Sequence, residues 1–286
     1  MQPLPSLSSL YKQTMDIPFV RSLLKKNNVM KNAKNNLITL AFIIALLVVL
    51  NPDAWAQRET RDLPSFTKIS LSVPADVYLT QGNTQKVEVE GDNEDLEDLV
   101  TKVEGGKLII KSDRNGGWFG NWDDWDDMSI YITIPNIEAI SVAGSGSVKG
   151  QNRITAEKID LSIAGSGDIE MEIGAEEVEA EITGSGDIEL SLDADLLECK
   201  ITGSGDMEIE GAGKTLDIKI TGSGDIDASR YEAAECYIGI TGSGSSYVNV
   251  SEKLDAKISG SGDVKYKGDP AHVHSHSSGS GHTEKM

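Results

Sequence analysis

The sequence contains no G-x-S-x-G elbow, no H-E-x-x-H pair and no phosphate-binding G-x-x-x-x-G-K-S/T loop, so three common catalytic frameworks are missing. Positive charge is scarce: 26 Lys and Arg face 46 Asp and Glu over 286 residues, a net charge of −20. Such a surface repels nucleic acid and anionic head groups and attracts cations, which excludes a nucleic-acid partner. Cysteine is nearly absent, with only Cys199 and Cys236. Neither stands just after the N-terminal apolar run, so a lipid-anchored lipoprotein is not expected. That run, Leu37 to Leu50, has 14 residues, short of the roughly 20 that a spanning helix needs.

What surrounds the run explains it. Lys31 and Lys34 precede it and Ala54-Trp55-Ala56 follows, which is the charged lead, apolar centre and small-residue cleavage pattern of an export signal. The expected signal is 30–56, cut after Ala56; residues 1–29 are then an extra segment ahead of a start at Met30. The alternative is a retained membrane anchor at 37–50. Residues 1–56 hold six Lys/Arg and two Asp/Glu, so the exported chain carries 20 basic and 44 acidic residues, a net charge of −24. It is expected in the periplasm, on the outer surface or outside the cell, with no permanent membrane span.

From residue 144 the chain repeats. Gly-Ser-Gly begins at Gly144, Gly165, Gly184, Gly203, Gly222, Gly242, Gly260 and Gly279, at spacings of 21, 19, 19, 19, 20, 18 and 19. A fixed period of this size marks a solenoid. Between corners the pattern alternates: Ile169, Met171 and Ile173, then Val178, Ala180 and Ile182. Period-two alternation means half-buried strands, and two short strands bury an apolar face only by stacking on neighbouring units. The fold class is all-β, a parallel β-helix with one unit per coil, half a coil per unit being the alternative. The first glycine of each corner suits a positive φ and close approach between coils. Counting back from the corners makes Cys199 and Cys236 inward-facing in different ladders two units apart, about 10 Å between Cα atoms, beyond disulfide reach.

Residues 57–65 read as a linker and 66–143 as a β-rich part without the repeat. It holds strands around Ile69 to Leu79, Val87 to Glu90, Lys107 to Ile110, Ile130 to Ile134 and Ile140 to Val142, with a helical turn near Leu96–Val100. Its last strands are expected to form the first coil, giving one continuous core. The repeat region runs 144–281, with 282–286 a tail.

Val73-Pro74-Ala75-Asp76-Val77-Tyr78-Leu79-Thr80-Gln81-Gly82, the Leu108-Ile109-Ile110 strand and the serial Gly-Ser-Gly-Asp units together resemble the head GIN domain of auto-transporter adhesins, over about 66–281. The resemblance implies a right-handed, pectin-lyase-like β-helix, no catalytic residues and an adhesive role. No segment resembles an outer-membrane barrel, so self-transport is not carried over.

Three groups are candidate sites. Asp168, Asp187, Asp206, Asp225 and Asp263 follow the corners; stacked carboxylates repel, and either calcium or a turn in which each Asp caps local N–H groups offsets this, the cap being preferred. Trp118, Phe119, Trp122 and Trp125 sit among glycines and acids between two strands, placed to stack on sugars or meet a protein partner, or to fold back over an open face. His272, His274 and His276 share one strand face and could bind Zn²⁺ or Cu²⁺, or mark the polar last unit that caps a solenoid. Arg153 and Arg230 are isolated, which argues against a lyase acting on uronates. The overall expectation is a non-enzymatic, adhesin-like binding or surface-structural solenoid with a glycan or surface-protein partner and no obligatory cofactor. A periplasmic sensor or scaffold, or a pectin-lyase-type enzyme, are the alternatives.

Overall fold

The computed structural model describes residues 57–113 and 128–286. The expected export signal, the segment before it and the aromatic stretch 118–125 lie outside the described residues. Ala56–Met286 forms one compact unit, a β-solenoid of about eight turns whose strands stack about 19 residues apart.

The alternation read from the sequence sets the coil. In β11 (Asp168–Gly184), Ile169, Met171, Ile173, Val178, Ala180 and Ile182 are buried while the residues between them face out or lie half-covered. They fall on two limbs, separated on one side by Gly174–Glu177 and on the other by the Gly-Ser-Gly corner. β12 (Asp187–Gly203) pairs with β11 in parallel over both limbs, placing Ile188 on Ile169, Leu197 on Val178 and Cys199 on Ala180. One unit is therefore one full coil. β13 (Asp206–Gly222), β14 (Ile226–Gly242) and β15 (Ser246–Gly260) continue the stack. Each inward Ile or Leu contributes about 1.5–3 kcal/mol by burial, realised only when the next coil covers it.

Coil spacing dictates the corners. Gly203 has φ 136°, and a Cβ there would overlap the Gly184 carbonyl oxygen. Gly205 lies so close to the preceding coil that a Cβ would overlap Gly186 O and stand 2.8 Å from the Ile182 methyl. Between them Ser204 donates its N–H to Gly184 O at 2.8 Å. Units of unequal length stay aligned because the first limb absorbs the difference. The pairing of β13 with β14 slips between Glu208 and Glu210, and that of β14 with β15 slips on either side of Glu232–Ala233. The second limbs and corners remain in step, with Gly222 on Gly242 and Gly242 on Gly260.

The N-terminal part shares the core, and its order agrees with expectation only in part. β8 (Ala139–Gly144) and β9 (Ser147–Gly150) form the first Gly-Ser-Gly coil, carried on by β10 (Ile154–Gly165) and β11. They stack on β2 (Lys68–Leu71) and β3 (Asp76–Gln81). The later strands β6 (Lys107–Ser112) and β7 (Ser129–Ile134) lie on the far side of β2 and β3. The early strands thus make the coil beneath the first Gly-Ser-Gly coil, and of the two late strands β8 enters that first coil as expected while β7 lies beyond β3. The chain returns to the end of the solenoid because β1 (Gln57–Arg61), β4 (Lys86–Gly91) and β5 (Leu99–Glu104) close it there with antiparallel pairing: β4 on β7, β1 on β4, β5 on β6. The helical turn is α1 (Asn93–Asp98), and Leu99 already belongs to β5.

At the other end β16 (Val264–Lys267) and β17 (His272–Gly279) stack on β15, and β18 (Thr283–Lys285) on β16. Val273 pairs with buried Leu254 yet remains 47% exposed.

Candidate functional site

The core offers little chemistry. Cys199 and Cys236 are buried free thiols, and burial pushes both well above the usual thiol range, leaving no thiolate to act as nucleophile or ligand. Function has to be sought on the outward positions, where stacking turns each repeated residue into a rank.

The Asp rank is tied into the backbone. The Asp206 N–H donates to Asp187 Oδ1 at 3.2 Å, Asp225 N–H to Asp206 Oδ1 at 2.9 Å and Ser245 N–H to Asp225 Oδ1 at 2.6 Å. At the last corner His282 N–H donates to Asp263 Oδ1 at 3.1 Å. These four carboxylates cap backbone, but the N–H belongs to the following coil rather than to the local turn expected from the sequence. The backbone N–H groups of Asp168 and Asp187 donate instead to carbonyls of the preceding coil, Gly146 O and Gly167 O. Asp76, far outside the repeat, shares the rank: it stands opposite Ser147, whose hydroxyl donates to it.

His272, His274 and His276 occupy the outward positions of β17, paired with Lys253, Asp255 and Lys257, and all three are exposed. Among the described residues no group of three or more His, Cys, Asp or Glu stands together in a way that could hold a metal ion.

Arg153 and Arg230, which looked isolated, bridge acidic coils. Arg153 donates to Glu172 at 3.1 Å and Asp193 at 2.7 Å; Arg230 pairs with Glu208 and lies 3.6 Å from Glu210. Glu170, Glu172, Glu189, Glu208 and Glu210 make the first limb's depression an acidic wall.

The second limb differs. Its ranks run Glu181, Lys200, Lys219, Gly239, Lys257, His276 and, two residues on, Thr183, Thr202, Thr221, Thr241, Ser259, Ser278. Over the last four coils these ranks line a shallow depression of about 480 Å³, basic along one side and hydroxylated along the other. Its floor is Gly239. Sequence reading missed the basic rank because unequal unit lengths hide it; counting two residues back from the Thr or Ser before each corner reveals it.

The arrangement is a regular outward surface of stacked ranks. The family model for "Putative auto-transporter adhesin, head GIN domain" matches residues 65–191 and 175–270. The chain belongs to this family. Among solved structures, a "putative lipid binding protein" from Parabacteroides distasonis is 27% identical with a TM-score of 0.75, over 82% of this chain and 98% of that one. A "putative adhesin" from the same organism is 23% identical with a TM-score of 0.73, over 80% and 96%. A "putative adhesin" from Parabacteroides merdae is 20% identical with a TM-score of 0.72, over 81% and 96%, and shares the fold. No curated protein matches. Among the described residues of this GIN-domain chain no helix is long and apolar enough to cross a membrane.

Proposed function

We propose that this GIN-domain protein is an exported, non-catalytic, adhesin-like module that holds a glycan or surface protein along the outward ranks of its second limb. The observation that carries the reading is the hydroxyl rank from Thr183 to Ser278, six exposed side chains held in step by the corners. A stiff row of like groups repeating every 4.8 Å or so suits an extended, repetitive ligand better than a small substrate enclosed for reaction. The family description and the adhesin-like neighbours support the same reading.

The test is protease accessibility of the full chain on intact cells of its host, combined with retention of the purified full chain on arrayed glycans and surface proteins. Surface cleavage with retention on at least one class supports the proposal. Protection equal to that of a periplasmic control, or turnover of a bound polysaccharide, overturns it in favour of an envelope scaffold or an enzyme respectively.

A further inference from the structure

Gly239 is a glycine without a backbone reason. Unlike the first glycine of each corner it does not occupy the left-handed region, and a Cβ added to it would meet nothing nearer than Ile218 O at 4.0 Å. The other members of its rank on the second-limb coils, from Glu181 to His276, carry long or ring side chains. Glycine inside a strand weakens it and often marks a place where something approaches closely. What Gly239 supplies is space.

The walls of that space have a definite chemistry. Lys219 and Lys257 stand in register on the coils to either side, two coil spacings or about 10 Å apart. Thr221, Thr241 and Ser259 run alongside, their hydroxyls exposed and making no hydrogen bond to another described residue. Two residues before Gly239 on the same strand, Tyr237 is fixed by donating its hydroxyl to Glu235 at 2.5 Å and accepting from Lys253 Nζ at 3.0 Å. Lys219 and Lys257 are themselves exposed and are tied only to half-buried partners on their own strands, Asp217 at 3.3 Å and Asp255 at 3.9 Å, with which an incoming anion can compete. Elsewhere a chain of net charge −20 repels an anionic ligand, so this face is where one can settle.

We infer that the notch over Gly239 seats a carboxylate-bearing sugar of a linear acidic glycan, with its carboxylate between Lys219 and Lys257 and the chain lying along the hydroxyl rank. This assignment rests on the adhesin-like reading and specifies its ligand.

The experiment is a titration of the full chain, purified in detergent, with a hyaluronan decasaccharide, with a neutral cello-oligosaccharide and with inorganic phosphate as competitor. Binding of hyaluronan over the neutral chain is expected, weakening as salt is added. Lys219→Gln and Lys257→Gln should each weaken it about threefold and together about tenfold, the size expected of exposed charge pairs. Gly239→Gln, which the open Cβ position lets fold, should abolish it with the melting temperature unchanged. Lys214→Gln, which removes a lysine paired with Asp195 and lying outside the depression, should leave it intact. Equal binding of neutral and acidic chains, full binding by Gly239→Gln, or displacement by equimolar phosphate overturns the assignment while leaving the adhesin-like reading standing. Loss of binding to every glycan and surface protein, with protection on intact cells, removes that reading as well.

Discussion

The hydroxyl of Tyr231 occupies the place where a β-carbon on Gly213 would have to go. Tyr231 is fully buried and stands opposite Gly211, where the preceding coil has no side chain and where Leu192 fills the same position one coil earlier. A ring on one coil thus fills the gap left by two glycines on the coil before it, and its hydroxyl reaches Ala194 O at 3.3 Å.

This pairing is testable by a double-mutant cycle. Gly213→Ala should lower stability by about 1–3 kcal/mol through overpacking against both the Tyr231 hydroxyl and Ala194 O, of which Tyr231→Phe relieves the first. Tyr231→Phe should cost about 1 kcal/mol, the worth of its hydrogen bond. With the hydroxyl gone, Gly213→Ala should cost less than it does alone, so the two effects should not add in urea melts. Strict additivity would separate the residues.

The two kinds of glycine should behave oppositely. Gly205→Ala places a β-carbon against the coil beside it and should lower the melting temperature by several degrees. Gly239→Ala should change stability by no more than about 0.5 kcal/mol. Calorimetry of both variants decides it; an equal loss would mean that Gly239 is needed by the fold.

If the Asp rank caps backbone, Asp206→Asn should keep stability near that of the parent, because the amide oxygen still accepts the Asp225 N–H. Asp206→Ala should lose something under about 1 kcal/mol. Millimolar calcium should leave the melting temperature of the parent where it is. A calcium-dependent rise abolished by Asp206→Ala would assign the rank to metal instead.

The thiols give a pH prediction. Burial raises both folded-state values above the unfolded value of about 8.5. Their contribution to stability is complete below that value and declines as pH climbs above it, because unfolding then releases protons. Native protein should therefore resist a thiol reagent at pH 8 and react at both cysteines once unfolded. Fast labelling of the native chain would show that the coils open.

The repeat region was legible because a 19-residue period and strict alternation leave few ways to bury Ile169, Met171 and Ile173. Inward and outward assignments followed, including those of the two cysteines and of the histidines on β17. The N-terminal order was not legible. That β2 and β3 lie between the later pair β6–β7 and β8–β9 depends on contacts such as Lys68 with Lys107 and with Ala139, which no local pattern announces. The basic rank stayed hidden for another reason: bulges on the first limb keep Lys219, Gly239 and Lys257 aligned although 20 and 18 residues separate them. Trp118, Phe119, Trp122 and Trp125 lie beyond what the described residues reach.

The corners also bear on inheritance. Each unit between β11 and β15 touches only the coils beside it, while one end of the stack is closed by antiparallel strands and the other by polar β17. An in-frame duplication or deletion of one unit in the middle disturbs neither end and still meets glycine with glycine. The number of rungs, and with it the length of ligand held, can drift from one generation to the next without a new fold having to be found.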